Sequence, residues 1–191
     1  MLLEYPNFAA LAAAEVEGVD FDRVVRPRPG ARAAVIAPHG GRIEPRTDDI
    51  ALAIAGGDFS LYCFCSRRPR GGTSLHITSR NFDDPRCLDL VARHQWVVAI
   101  HGCKESGQRI LLGGRDAALI ADLAHGLGEV GLAAETSGHE FPATDETNIC
   151  NRGATGAGAQ CELSMEFRRS AASALFVGVV REVLLARQTA V

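Results

Sequence analysis

Short apolar runs alternate with segments of helical periodicity along most of the chain. Runs rich in Val, Ile and Leu predict strands buried on both faces, and they cover residues 31–37, 59–65, 74–78, 96–100 and 108–114. A further strand is predicted at CELSMEF, residues 161–167. Apolar residues with helical spacing predict helices over residues 45–57, 83–94, 115–131 and 170–188. This alternation predicts an α/β fold with a largely parallel or mixed sheet.

The segment APHGGRIEP, residues 37–45, joins the first of these strands to the first of these helices. Gly40 and Gly41 permit the backbone angles of a tight reversal. Pro45 suits the first position of a helix, and Glu44 precedes it near the N-cap. The sequence therefore predicts a Gly-Gly turn that leads directly into a helix.

Length and composition limit the classes of protein that this chain can be. With 191 residues and 47% hydrophobic content, we expect a single domain over residues 1–191. A net charge of −3 argues against nucleic acid or an anionic membrane as a partner. Residues 1–18 lack the basic start of a secretory signal, and no apolar run reaches the length of a membrane span. We therefore expect a cytoplasmic protein, and a monomer.

The six cysteines suggest neither a disulfide set nor a metal cluster. Four of them lie within or beside apolar runs, as in SLYCFCS and VVAIHGC. In a chain without a secretory leader, such cysteines are expected to be small buried side chains. Cys63 and Cys65 would share one face of a strand, but no second pair with ligand spacing accompanies them.

Two histidines follow apolar runs in the same sequence context. His39 ends AAVIAPH and His101 ends WVVAIH, and each is followed by glycine. Ligands bind outside the carboxyl ends of strands in open α/β sheets, which is where both would lie. In one helix His39 and Glu44 would be about 140° apart, whereas on a tight turn both can face one centre. Two imidazoles and one carboxylate are a ligand set of catalytic zinc.

These residues also have explanations that do not involve a metal ion. A histidine at a strand end can simply bond a nearby carbonyl, and a Gly-Gly turn before a helix can hold phosphate, although Glu44 would repel it. His76 would lie on a short strand aimed at the same region. His94 and His125 fall in the last turns of predicted helices and are expected to be structural or exposed, and His139 lies in a loop.

A hydrolytic metal centre also needs a carboxylate that is not a ligand, to accept and deliver a proton. Strand alternation would place Glu162 and Glu166 on one face, so periodicity cannot choose between them. Arginine is the usual anchor for a substrate carboxylate. Arg80 and Arg152 are the favoured candidates because each lies beside an asparagine, whereas the arginines of residues 67–70 are expected to form a solvated loop.

Taken together, these segments resemble the poly-γ-glutamate hydrolase family of phage-related zinc enzymes. The resemblance rests on five motifs in the order APHGGRIEP, LHITSRNFDDP, VVAIHGC, NICNRG and QCELSMEFR, and it spans roughly residues 30–185. It implies an open mixed sheet flanked by helices, related to zinc carboxypeptidases, with one zinc ion per chain. By motif, the implied zinc ligands are His39, Glu44 and His101, and the implied general base is Glu162. Asn151 and Arg152 resemble the Asn-Arg pair that holds a substrate carboxylate in carboxypeptidases.

The resemblance implies a zinc-dependent hydrolase that cleaves γ-glutamyl amide bonds of poly-γ-glutamate. Arg80, Arg152, Asn151 and His76 are the expected substrate-binding residues, and the partner is an anionic γ-glutamyl polymer or peptide. Two alternatives remain open. One is another zinc amidase or carboxypeptidase acting on small acylated amino acids or γ-linked peptides. The other is a non-catalytic binding protein with the same fold.

Overall fold

The computed structural model describes residues 5–190. Its strands are β1 (Phe21–Arg26), β2 (Ala33–Gly41), β3 (Ser60–Ser66), β4 (Trp96–Cys103), β5 (Ile110–Gly114) and β6 (Ala159–Ser164). They form one sheet in the order β1-β3-β2-β4-β6-β5. The four inner strands are parallel, and β1 and β5 pair antiparallel at the two edges. The predicted open mixed sheet is therefore confirmed.

Helices cover both faces of this sheet. They are α1 (Phe8–Ala14), α2 (Thr47–Ala55), α3 (Pro85–Val91), α4 (Ala117–Glu129), α5 (Met165–Arg169) and α6 (Ala172–Thr189). On one face, α2, α4 and α6 pack on the strands through Ile54, Leu123 and Phe176. On the other face, α1 and α3 contribute Leu11 and Leu90 to a second apolar cluster. Within the described part of the chain, each helix is too short or too polar to cross a membrane.

Two predicted strands differ from the structure. Residues 74–78 are not a strand, because Gly72–Leu75 form a 3-10 helix and the chain then continues without regular structure. The strand predicted over 161–167 ends at Ser164, where α5 begins. The Ser164 hydroxyl accepts the Phe167 N–H at 3.2 Å and so caps this helix. This cap removes Glu166 from the strand face that it was predicted to share with Glu162.

The first predicted helix begins later than Pro45. Pro45 lies in a turn, and Arg46 has a φ of 78°, which a helical residue does not adopt. The Glu44 N–H donates to the His39 carbonyl at 2.8 Å, and this bond closes the turn. As a result α2 starts at Thr47, and Glu44 is free of the helix.

Two elements near the amino end were not predicted, namely α1 and β1. Strand β1 lies at the sheet edge with only Phe21 fully buried, so its sequence FDRVVR lacks a continuous apolar run. By contrast, the expectation for the cysteines is confirmed. All six are free thiols, and only Cys65 is partly exposed.

A bulge in β2 changes the direction of its last side chains. The pairing of β2 with β3 shifts by one residue between Ala37 and Gly40. Strict alternation would point His39 to the face of Val35 and Ala37, but after the bulge its ring contacts Phe82 on the opposite face. Gly41, with a φ of 64°, follows the bulge, and a Cβ there would lie 2.3 Å from the Ser66 carbonyl oxygen.

We expect Gly41→Ala to lower the free energy of unfolding by about 1–3 kcal/mol, because alanine is strained at this φ and would collide with the β3 backbone. Urea denaturation followed by circular dichroism measures the change. Gly57→Ala is the matched control, since a Cβ at Gly57 meets nothing within 4 Å. Equal stability of the two variants would contradict a backbone requirement at residue 41.

Candidate active site

The sheet order reverses between β2 and β4, and this reversal opens a crevice. From β2 the chain passes through α2 to β3 on one side, and then through α3 to β4 on the other side. Pairing of β2 with β4 runs from Ala33–Trp96 only as far as Ile36–Ala99. His39 and His101 lie beyond the last residues that pair β2 with β4, so their side chains lie in the crevice that this fold uses for ligands.

The structure brings His39, Glu44 and His101 to one point. Each offers a ligand atom, and these atoms all lie within 4.8 Å of one another. Nδ1 of His39 lies 2.9 Å from Oε1 of Glu44 and 3.1 Å from Nδ1 of His101. Both histidines are buried, with exposed fractions of 2% and 1%. The loop position of Glu44 makes this possible, because it lets the carboxylate turn back toward both strands.

The hydrogen bonds around the two imidazoles suit a cation between them. Nε2 of His39 lies 2.7 Å from the Ile77 carbonyl oxygen, which can only accept, so the neutral ring carries its proton on Nε2 and leaves the Nδ1 lone pair free. That lone pair faces the Glu44 carboxylate and Nδ1 of His101. The two Nδ1 atoms and the Glu44 carboxylate thus converge on one point, where a divalent cation could take a lone pair from each of them.

Backbone and charge both hold Glu44 in its ionised form. The Gly102 N–H donates to Oε2 of Glu44 at 2.7 Å. Burial opposes ionisation, but the nearby His39 and His101 outweigh it and hold the pKa of Glu44 well below its usual range. Burial would likewise lower the pKa of His39, and the Glu44 charge instead raises it. Burial lowers the pKa of His101.

Glu162 lies beside this triad, and its pKa is shifted in the opposite direction to that of Glu44. It is the register partner of His101 across β4 and β6, so the two side chains share a face. Burial and the charge of Glu44 raise the pKa of Glu162 to about 8. Nε2 of Gln160 donates to Oε1 of Glu162 at 3.0 Å, and Asn148 in turn donates to Gln160 at 3.0 Å. Glu162 is therefore a positioned carboxyl group whose pKa lies above its ordinary range.

A cavity of about 460 Å³ opens over these groups. Besides His39, Glu44, His101 and Glu162, its walls include two of the residues predicted to bind substrate, His76 and Arg80. The His76 ring packs on His39 with centroids 4.1 Å apart, and burial lowers its pKa to about 3, which keeps it neutral. Arg80 is exposed at the rim. Residues 140–145 form the opposite wall.

The structure does not bring Asn151 and Arg152 to this cavity. The Asn151 amide donates to the carbonyls of Ala143 and Asp145, and its oxygen accepts the N–H groups of Arg115 and Gly158. These bonds occupy its side chain in holding the loop that forms the cavity wall. Arg152 is exposed and lines a separate depression with Glu146 and Thr155.

Other polar residues near the triad were not predicted from the sequence. Gln160 could have been found, because it precedes Glu162 by two residues on one strand and so shares its face. Asn148 lies in a loop of the cavity wall, and Arg168 lies in α5 and lines a neighbouring cleft together with Glu44. No periodicity connects either residue to the histidines. Their positions depend on how distant segments meet.

An open α/β sheet with two histidines and a glutamate at its switch point defines a class of candidate metal-binding proteins. The family model for poly-gamma-glutamate hydrolases matches residues 5–179. The chain therefore belongs to the poly-gamma-glutamate hydrolase family, which confirms the resemblance seen in its motifs.

Relatives and solved structures agree with this membership. The SPbeta prophage-derived UPF0714 protein YoqZ of Bacillus subtilis (strain 168) is 39% identical over 140 residues, which are 72% of this chain and 51% of YoqZ. The chain thus spans about half the length of that relative. A bacteriophage poly-gamma-glutamate hydrolase superposes with a TM-score of 0.91 at 30% identity, covering 96% of this chain and 97% of the other. YndL in a zinc-free form gives 0.88 at 30% identity, covering 96% and 98%.

The raised pKa of Glu162 predicts how stability depends on pH in metal-free protein. Between its ordinary value of 4.5 and about 8, the folded state keeps a proton that the unfolded state releases. The free energy of unfolding should therefore fall as pH rises through this window. Glu162→Gln removes this contribution, so the variant should gain stability over wild type progressively from pH 5 to pH 8. Urea titrations with a chelator present measure this gain, and parallel pH profiles would contradict it.

Proposed function

We propose that this protein is a zinc-dependent hydrolase that cleaves γ-glutamyl amide bonds of poly-γ-glutamate. The observation that carries the proposal is the convergence of His39, Glu44 and His101 within 4.8 Å, with Glu162 at the adjacent register position. Membership of the poly-gamma-glutamate hydrolase family supports the substrate.

His39, Glu44 and His101 would hold one zinc ion per chain. Two imidazoles and one carboxylate leave a coordination position open, as catalytic zinc sites do. Nε2 of His39 donates to the Ile77 carbonyl oxygen, and a hydrogen bond of this kind fixes the orientation of a metal-binding imidazole. The solved structure of the similar protein YndL is specified as its zinc-free form. Zinc is thus the metal associated with that protein, and this supports the choice of metal here. When bound, the ion would supply Lewis-acid polarisation of the amide carbonyl and would acidify water.

Glu162 acts as general base and then as general acid in this proposal. It accepts a proton from the attacking water while the water oxygen bonds to the γ-carbonyl carbon. When the C–N bond breaks, Glu162 delivers that proton to the leaving nitrogen. The second water proton leaves the new carboxyl group and is taken up by the amine, so the products are a carboxylate and an ammonium group. In the metal-free protein, burial and the Glu44 charge raise the pKa of Glu162 to about 8, and a carboxyl whose pKa lies nearer neutrality is suited to accept a proton and then to deliver it.

His76 and Arg80 would contact the substrate. The neutral His76 ring lies against His39 and can donate or accept a hydrogen bond at the cavity wall. Arg80 carries a positive charge at the rim, where an α-carboxylate of the polymer would enter. Arg152 and Asn151 take no part in the proposal. All the proposed groups belong to one chain, so we propose that a monomer is active and that neither nucleic acid nor a membrane is needed.

Two substitutions separate metal binding from proton transfer. His39→Ala should lose both zinc and hydrolysis, because it removes a ligand. Glu162→Gln should keep zinc and lower kcat by about 10²–10⁴-fold, because an amide cannot accept the proton. Metal analysis by mass spectrometry and sizing of cleaved poly-γ-glutamate are the measurements. Glu166→Gln, on the exposed face of α5, is the matched control and should behave as wild type. A Glu162→Gln variant with normal turnover would exclude the assigned role.

A second pair of substitutions tests the two predicted arginines. Arg80→Gln should raise KM for poly-γ-glutamate roughly three- to tenfold with kcat little changed, because one charged contact with substrate is lost. Arg152→Gln should change neither, since Arg152 lines a different depression. Steady-state kinetics at constant ionic strength measures both. The reverse result would place the substrate at Arg152.

A further inference from the structure

A second cleft adjoins the first cavity at Glu44. Its volume is about 370 Å³, and it shares Glu44, His76 and Gly102 with the first cavity. Its remaining walls are Ile43, Pro45, Thr73, Cys103, Lys104, Met165 and Arg168. Glu162 does not line it. The two spaces therefore meet at Glu44, with the proposed general base on one side only.

Arg168 brings a buried positive charge to this second cleft. Its side chain is buried, with an exposed fraction of 2% for the residue. Nε donates to the Leu163 carbonyl at 3.0 Å, and Nη1 donates to the Pro45 carbonyl. Within residues 5–190, Nη2 has no hydrogen-bond partner and the guanidinium makes no ion pair. Burial lowers the pKa of Arg168 and outweighs the attraction of Glu44 and Glu162, which act on this charge without a direct ion pair. An anionic ligand group bonded to the guanidinium would offset the remaining cost of burial.

Lys104 adds a second positive charge at the mouth of the cleft. It is the only lysine in the sequence, it follows directly after β4, and it is exposed. Two cations thus face one cleft. The exposed Lys104 would attract a carboxylate from solvent, and the buried Arg168 would bind it by hydrogen bonds.

The first cavity and the second cleft differ in the charge of the side chains that line them. Around the first cavity, Arg80 is accompanied by Glu140 and Asp145. In the second cleft, the charged side chains other than Glu44 are both cations, Lys104 and Arg168. A polymer with one α-carboxylate per residue would therefore be held more strongly on the second side.

We propose that the second cleft binds the α-carboxylate of the substrate residue that supplies the scissile γ-carbonyl. This inference rests on the proposed function and extends it. The leaving nitrogen must reach Glu162, which lines only the first cavity, so the leaving part of the polymer lies there. The acyl part then extends past Glu44 toward Lys104 and Arg168. A chain that occupies both spaces can be cut at internal bonds.

The test uses γ-linked glutamate tetramers in which one α-carboxylate at a time is replaced by a carboxamide. Products identified by mass spectrometry show which bond is cut and where the carboxamide lies relative to it. For wild-type zinc-loaded enzyme, a carboxamide on the acyl residue should lower kcat/KM about 10- to 100-fold, the range expected for a hydrogen bond between charged groups. In Lys104→Glu this preference should be abolished or reversed, because the introduced carboxylate repels the native substrate and not the carboxamide.

Arg28→Glu is the matched control, because it makes the same charge change at an exposed position next to the amino end of β3. It should keep the wild-type preference. If the wild-type enzyme cleaves the tetramers without regard to the acyl carboxamide, or if Lys104→Glu keeps the wild-type preference, the subsite is wrong and the proposed hydrolase function stands. If zinc-loaded wild type cleaves no γ-linked tetramer and no polymer, the proposed function fails and this inference fails with it.

Discussion

The Glu44 carboxylate is the constraint around which the site is built. It lies between two buried imidazoles and accepts the Gly102 N–H from a neighbouring strand. Taking a carboxylate out of water is costly, and these partners offset that cost only if both strands and the turn keep their positions. Glu44 thus links the ends of β2 and β4 where their own pairing has stopped. A cation at this point would tie the same three segments together.

The backbone of β2 is shaped to serve this arrangement. A bulge between Ala37 and Gly40 turns His39 away from the face that alternation assigns to it. The cost falls on glycine, since Gly40 and Gly41 approach β3 too closely for any side chain. The bulge therefore explains why the histidine and the two glycines occur together in the sequence.

Two carboxyl groups near one centre differ because their surroundings differ. Histidines and a backbone N–H surround Glu44 and hold its pKa down, while burial and the Glu44 charge hold the pKa of Glu162 up. One is suited to remain an anion and the other to exchange a proton, which is the division of roles that general acid-base chemistry needs. Glu162 keeps its orientation through Gln160, which donates to its Oε1, and through Asn148, which donates to Gln160.

The sequence by itself determined the class of fold and the three candidate ligands. Apolar runs and helical periodicity are local consequences of burial, so the inner strands and the large helices could be predicted, and His39 and His101 could be placed at strand ends. Only tertiary structure decided the rest. Residues 74–78 have a strand-like composition, yet they supply a turn and the Ile77 carbonyl to His39. Edge strand β1 lacks an apolar run because only one face is buried. The capping of α5 by Ser164 separated Glu166 from Glu162. Asn151 was predicted to bind substrate because it precedes Arg152 in the sequence, but its side chain makes its hydrogen bonds within the fold. Arg168 lines the second cleft because α5 places it there. Such placements depend on contacts between distant segments, and no local pattern of residues encodes them.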